Sequence, residues 1–257
     1  MIPTKKLSTL LATRAELDAS LSNKLRKSIL QQAIQGLLVE QTPNDEPTSV
    51  LMEHIKTEKQ RLVKEGRLKK SALQDSVIYR GDDNKYWEKR GKETICIDDE
   101  IPFEIPNTWS WCRLESITYP VGNKSNQIQA KEIKNEGIIK VVSQGQQLFD
   151  GYCDDLSKRI EDLPLIMFGD HTRNVKFIDF PFVIGADGTK FMKPICVNPK
   201  YLYYWILHIS SLIRNRGYAR HYSLLKTVPV AIPPLEEQDR IVAKVEELFA
   251  VIEGMNN

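Results

Sequence analysis

Apolar positions recur with a helical period at both ends of this chain and as short runs between them. Near the start, Leu10, Leu17, Leu21, Leu25, Ile29 and Ala33 fall four or seven residues apart, so they line one face of a helix predicted over 8–38. At 1.5 Å per residue that helix is roughly 45 Å long, too long to be buried inside a small domain, and packing as a coiled coil is expected. Gly36 and the TPNDEP stretch end it. Pro47 or Thr48 then opens a second helix, whose apolar stripe of Val50, Leu51, Ile55, Leu62 and Val63 runs to Gly66. The two are expected to form an antiparallel hairpin. At the other end, Pro233 and Pro234 exclude helix before them. Leu235, Ile241, Val245, Leu248 and Ile252 then mark the stripe of a C-terminal helix. Glu236 and Glu237 sit in its first turn, where carboxylates suit the positive end of the dipole, and with Asp239 and Lys244 they face away from the stripe.

Between these ends the texture changes. Residues 67–100 are polar and punctuated, and predict a mobile connector with a short strand at 76–79. From Ile101 onward IPFEIPNTWSWCRL, GIIKVV, LPLIMF, VKFIDFPFVIG and TVPVAI are strand-length runs bounded by Gly, Pro, Asn and Asp, with Trp109 and Trp111 anchoring a core edge. One helix, over 199–214, interrupts them. The predicted class is α+β: one mixed, mainly β domain flanked by long helices forming a coiled coil. Its divisions are a helical region at 1–75, the β domain at 76–232 with a connector at 76–100, and a C-terminal helix at 233–257. No internal repeat is present.

Of 257 residues, 41% are hydrophobic and 27% charged, ordinary values for a soluble protein with a real core. No apolar run approaches the roughly 18 residues of a membrane span. The N-terminal MIPTKKLSTLL has no long apolar stretch and no small-residue cleavage site, so a cytoplasmic protein that meets no membrane is expected. Cys96, Cys112, Cys153 and Cys196 are widely spaced, with no C-x-x-C pair and no clustered histidines. Neither a metal site nor a disulfide framework is expected, only reduced thiols packed as small hydrophobes.

Net charge is only +2, but it is unevenly spread. Residues 188–235 contain no Asp or Glu, while Lys190, Lys193, Lys200, Arg214, Arg216, Arg220 and Lys226 all fall there, with His208 and His221. Such a run predicts a local electropositive surface of the kind that binds phosphates.

Catalytic signatures are absent. There is no Gly-rich nucleotide loop, no G-x-S-x-G elbow and no N-P-P-Y or D-P-P-Y motif of base-flipping methyltransferases, so no catalytic residue is assigned. Glu132-Ile133-Lys134 is like the tail of a nuclease metal motif, but no Pro-Asp precedes it. The candidate chemistry is DNA contact. SQGQQLFDG presents Ser143, Gln144 and Gln146, which can pair with base edges or form a polar turn. FGDHTRN puts His171 and Arg173 in a loop that Asp170 would cap, and GADGTK offers Lys190 beside a tight turn. The sharpest stretch is RNRGYARHYSLLK, in which Arg214, Arg216 and Arg220 alternate with Tyr218, His221 and Tyr222. Arginine can bridge guanine or phosphate, and tyrosine hydroxyls position the backbone; the plain alternative is a solvated helix end.

IPPLEEQDRIVAKVEELFAVIE, together with LRKSILQQAIQGLLVEQTPNDEPTSVLMEHIKTEKQRLVKEGRLKK, resembles the conserved helical regions of the specificity (S) subunits of Type I restriction-modification systems. The likeness covers about 110 residues at the two ends, and the chain is similar to half of a full S subunit, which carries two target-recognition domains. The resemblance implies a non-catalytic subunit that reads double-stranded DNA and binds no cofactor itself. It implies helices that act as a ruler and dock modification (M) subunits, which bind S-adenosylmethionine and methylate adenine. Through these come restriction (R) subunits, which use ATP and magnesium. Other classes are a self-contained nuclease, which would need clustered acidic ligands beside the basic run, and a coiled-coil scaffold, which leaves that run unexplained. A chain resembling half an S subunit is expected to form a homodimer through Leu17, Leu21, Leu25, Ile29, Ile241, Val245, Leu248 and Ile252, and to read an inverted repeat.

Overall fold

The computed structural model describes residues 4–74, 76–185, 187–217 and 220–255, with side chains from residue 12 onward except residue 15, so Leu10 lies outside the side chains described. Helix α1 (Thr4–Ile34) is followed by α2 (Thr48–Lys64) and a three-stranded meander of β1 (Ser76–Arg80), β2 (Tyr86–Arg90) and β3 (Glu93–Cys96). The β body comprises β4 (Ser110–Cys112), β5 (Thr118–Pro120), β6 (Ile139–Val142), β7 (Gly151–Cys153), β8 (Leu165–Gly169), β9 (Val175–Ile178), β10 (Phe182–Ile184) and β11 (Thr189–Pro194). Helix α3 (Pro199–Leu212), a single turn α4 (Tyr222–Leu225), strand β12 (Val230–Ile232) and helix α5 (Leu235–Met255) complete it. The strands form sheets ordered β1-β2-β3, β10-β6-β7, β5-β11-β8-β9 and β12-β4. This is the expected mixture of sheets and helices. No helix among the described residues is long and apolar enough to cross a membrane.

Helix α1 ends at Ile34, earlier than its periodicity suggests, because Gly36 takes φ +71° and the amides of Gly36 and Leu37 turn back to the carbonyls of Ala33 and Gln32. A β-carbon at Gly36 would also collide with Pro106, so this glycine closes the helix against the β body.

The two terminal helices pair within the chain. Arg26 reaches Glu253 at 2.9 Å and covers the Phe249 ring at 4.6 Å, while the loop after α1 meets the start of α5, where Gln41 donates to Glu237 at 3.1 Å and Arg240 to Asp45 at 2.6 Å. The pair is therefore antiparallel. Ile241, Val245 and Ile252 are buried, Leu248 is half-buried, and Ile29 packs on the same core, so these side chains serve intrachain packing. Leu17, Leu21 and Leu25 precede the paired stretch and are exposed by 64%, 50% and 37%. The expected α1–α2 hairpin gives way to a different arrangement. Helix α1 packs on α5 and α3, whereas α2 buries Leu51, Ile55 and Leu62 in the body's core, and Thr48 joins Ser110 and Thr108.

The polar connector is also corrected, since residues 76–96 form an ordered antiparallel meander. Its anchor is Glu88, 1% exposed, which accepts from Arg113 at 2.6 and 3.1 Å; Arg113 meets Glu100 at 2.7 Å as well. Polarity marked this stretch as a loop, but here the polar residues are what dock it. Two of the four cysteines, Cys96 and Cys196, are exposed instead of packed as small hydrophobes. One core cluster joins the last turns of α1 to α2, Trp109, Trp111, α3, β12 and α5, so the helical ends and the body share their interior.

Candidate nucleic-acid interface

The segments singled out in the sequence converge at one end of the β5-β11-β8-β9 sheet, where β8 ends and β11 begins. Antiparallel pairing sets Thr189 opposite Gly169, and Asp170 N–H donates to the Gly188 carbonyl at 2.7 Å. Parallel pairing of β6 with β10 makes residues 143 and 185 leave their sheet on the same side. The Gln144 side chain then bridges three segments, donating to the Asp187 carbonyl and accepting from His171 N–H, each at 3.1 Å. The Thr172 hydroxyl and the Asn174 side-chain amide donate to the Gln144 backbone carbonyl at 2.7 and 2.9 Å. Gly188, at φ +78°, has no room for a side chain, because a β-carbon would meet the His171 ring and the Gln144 amide.

The basic loop after α3 is stapled to the same place. His221 N–H donates to the Asp170 carbonyl at 2.9 Å, and the Asp170 carboxylate accepts from Tyr222 N–H at 2.8 Å. The His221 ring is fully buried. Its Nδ1 lies 3.0 Å from the Asp170 carbonyl, which can only accept, and its Nε2 accepts from Arg216 N–H at 3.1 Å. Both ring nitrogens are thus taken up by the backbone, Nδ1 as donor and Nε2 as acceptor, and the ring's place is inside the loop. Arg173, at φ +61°, donates to the Ile213 carbonyl at 2.8 Å and so ties β9's approach to the end of α3.

Sequence spacing overstated the exposed cations. Although residues 188–235 contain no acid, acids from elsewhere fold onto them: Glu115 meets Lys226 at 2.6 Å, Asp162 meets Lys193 at 3.0 Å, and Glu246 pairs with Lys200. Lys193 also donates to the Leu163 carbonyl. Burial, and then Lys27, lowers the His208 pKa, so that ring adds no charge near neutral pH. Arg214, Arg216 and Arg220 remain exposed and without an ion-pair partner among the described residues; Tyr218 lies outside them.

Tyr222 forms a small platform. Its ring lies 6.1 Å from that of Phe168, with the Lys190 and Lys226 ammoniums 5.9 and 5.7 Å from its centroid. Burial, helped by Glu115 and Asp170, pushes its hydroxyl pKa up to about 12, so the group stays a hydrogen-bond donor. Ser143 is buried, and its carbonyl accepts from the buried Lys176 ammonium at 2.6 Å, whereas Gln146 is exposed at the rim. Beside the platform opens a cleft of about 850 Å³, bounded by residues 67–72 and the turn after β5 and lined by Lys69, Lys124, Gln127, Lys190 and Tyr222 among others. Lys124 and Gln127 escaped sequence reasoning. Their only signal was a polar GNKSNQ run directly after a strand.

Residues 106–257 match the family model described as the Type I restriction modification DNA specificity domain, more than half of the chain. The chain is 28% identical to the Type I restriction enzyme EcoAI specificity subunit of Escherichia coli, over 94% of this chain and 41% of that protein. It is 26% identical to the EcoEI specificity subunit of the same organism, over 97% and 43%. The chain thus spans less than half the length of these curated relatives. Among solved structures it is similar to the HsdS subunit from Thermoanaerobacter tengcongensis, with a TM-score of 0.45, 16% identity and coverage of 81% of this chain and 51% of that one.

Proposed function

Because the chain belongs to the Type I restriction modification DNA specificity domain family, we propose that it is a non-catalytic DNA-reading component that directs methyltransferase subunits, and restriction subunits through them, to a defined site. The observation that carries this reading is the convergence of the 143–147, 170–174, 187–190, 213–217 and 220–226 segments on one surface. There Arg214, Arg216 and Arg220 stand exposed around a rigid support. Exposed arginines suit phosphates and guanine edges, while the residues beneath them, Gln144, Arg173 and His221, fix the loops that present them. Lys190 and Tyr222 belong to the reading surface, Gln146 to its rim and Ser143 to its support, whereas Lys193 sits towards the far end of β11, held by Asp162 and the Leu163 carbonyl.

Cofactor chemistry would then belong to the partners, with S-adenosylmethionine on the methyltransferase and ATP with magnesium on the restriction subunit. The exposed Leu17, Leu21 and Leu25 suit a second protomer, whose two-fold placement would make the target an inverted repeat with an unread spacer. Selection from a randomised duplex pool tests the reading, using the chain alone and with its methyltransferase partner. Enrichment of a defined motif is expected; folded chain that enriches none in either setting contradicts it.

A further inference from the structure

The cleft beside Tyr222 carries an excess of cationic side chains. Of the charged side chains lining it, Arg67 is engaged by Asp162 and the Tyr119 hydroxyl, and Glu115 by Lys226 at 2.6 Å. Lys69, Lys124 and Lys190 are then set against one remaining carboxylate, Asp187. Its volume, about 850 Å³, lies within the range of sites that enclose a ligand. One further polar residue is shared with a second, shallower recess: Gln127 lines both, together with Lys124 and Asp187. The backbone there is held firmly. Gln127 bridges to Ile184, Ile128 N–H donates to the Ile184 carbonyl at 2.9 Å, and Asn123 and Asn126 close the preceding turn as a capping box. A carboxamide on a fixed backbone, flanked by lysines, has the make-up of a base-edge reader between phosphate contacts.

We infer that this cleft receives one strand of duplex DNA, with Lys124 and Lys190 on its phosphates and Gln127 determining the preference for one base pair. This rests on the proposed DNA-reading role and extends it from the arginine loop to a second surface, built from the turn after β5. Glutamine offers a donor and an acceptor side by side, which matches the N7 and N6 edge of adenine. A carboxylate in its place would offer acceptors only, so Gln127→Glu is a change of code as well as of charge.

The full chain, selected against a randomised duplex pool and titrated with salt on the duplex it enriches, separates the possible failures. Wild-type protein should enrich a motif. Lys124→Ala with Lys190→Ala should weaken binding to every duplex and reduce the slope of log K against log salt by about two. Gln127→Ala should erase the preference at a single position, roughly ten-fold, with the slope unchanged, and Gln127→Glu should move that preference to another base. If wild type enriches a motif while both Gln127 variants enrich the identical motif, or the double lysine variant keeps its slope, the cleft assignment is overturned and the DNA-reading role stands. If folded wild type binds no duplex, the underlying role fails first. Circular dichroism and thermal melting establish that each variant is folded.

Discussion

At the level of single residues, the buried polar groups do most of the positioning. Glu88 shows the effect of environment on charge: burial alone would raise its pKa, but hydrogen bonds from Arg113, Arg90 and Ser76 hold it at about 2. Its folded pKa thus lies below the ordinary 4.5, so its stabilising contribution is complete above that pH and is lost as pH falls from 4.5 towards 2. Urea titrations should show stability dropping by about 3 kcal/mol across that window, and Glu88→Gln should remove most of the slope. A pH-independent wild type would contradict the pair's role. His221 also positions its loop through hydrogen bonds. Its replacement by alanine leaves Arg216 N–H without its acceptor and should cost about 1–3 kcal/mol in chemical denaturation, loosening the arginine loop although the ring itself never meets DNA. Neither role could be read from the sequence, where a glutamate in a polar stretch and a histidine among arginines look like solvent-facing groups. What turns them inward is a partner 25 or 51 residues away.

At the level of elements, α5 is organised by its first turn. Glu237 and Gln238 are fully buried: Trp109 and Gln41 donate to Glu237 at 3.0 and 3.1 Å, and Gln238 accepts from Asn198 N–H at 2.8 Å while donating to the Pro233 carbonyl at 2.9 Å. The apolar stripe and the proline pair were legible in the sequence, and so were the starts of α2 and α5. That two polar residues after the prolines lock α5 onto Trp109 was not, because periodicity treats every charged position as outward. Burial raises the Glu237 pKa despite these bonds, so the ionised carboxylate costs stability above the raised pKa, and this cost disappears as pH falls below the usual 4.5. Glu237→Gln should accordingly be near neutral at pH 7, whereas Glu237→Leu, which strands two donors, should lower stability by about 2–4 kcal/mol in thermal or urea melts. Equal losses for the two would sink this explanation.

At the level of the whole molecule, the helices and the β body are joined by one core, and the proposed reading surface lies where the ends of two sheets and the loop after α3 meet. The basic run overstated the charge of its surface, since sequence distance hides the acids that fold onto Lys193, Lys200 and Lys226. The exposed Leu17, Leu21 and Leu25 of α1 carry the homodimer reading. Leu21→Asp with Leu25→Asp, in a stretch that precedes the α5 contacts, should turn a dimer into a monomer in sedimentation at micromolar concentration without lowering the melting temperature. A wild type that is already monomeric contradicts that reading. The claim that the arginine loop meets DNA phosphates is tested most directly by the salt dependence of binding. With Arg214, Arg216 and Arg220 all replaced by alanine, affinity should fall on every sequence and the slope of log K against log salt should drop by nearly three; an unchanged slope in a folded variant would place the DNA elsewhere.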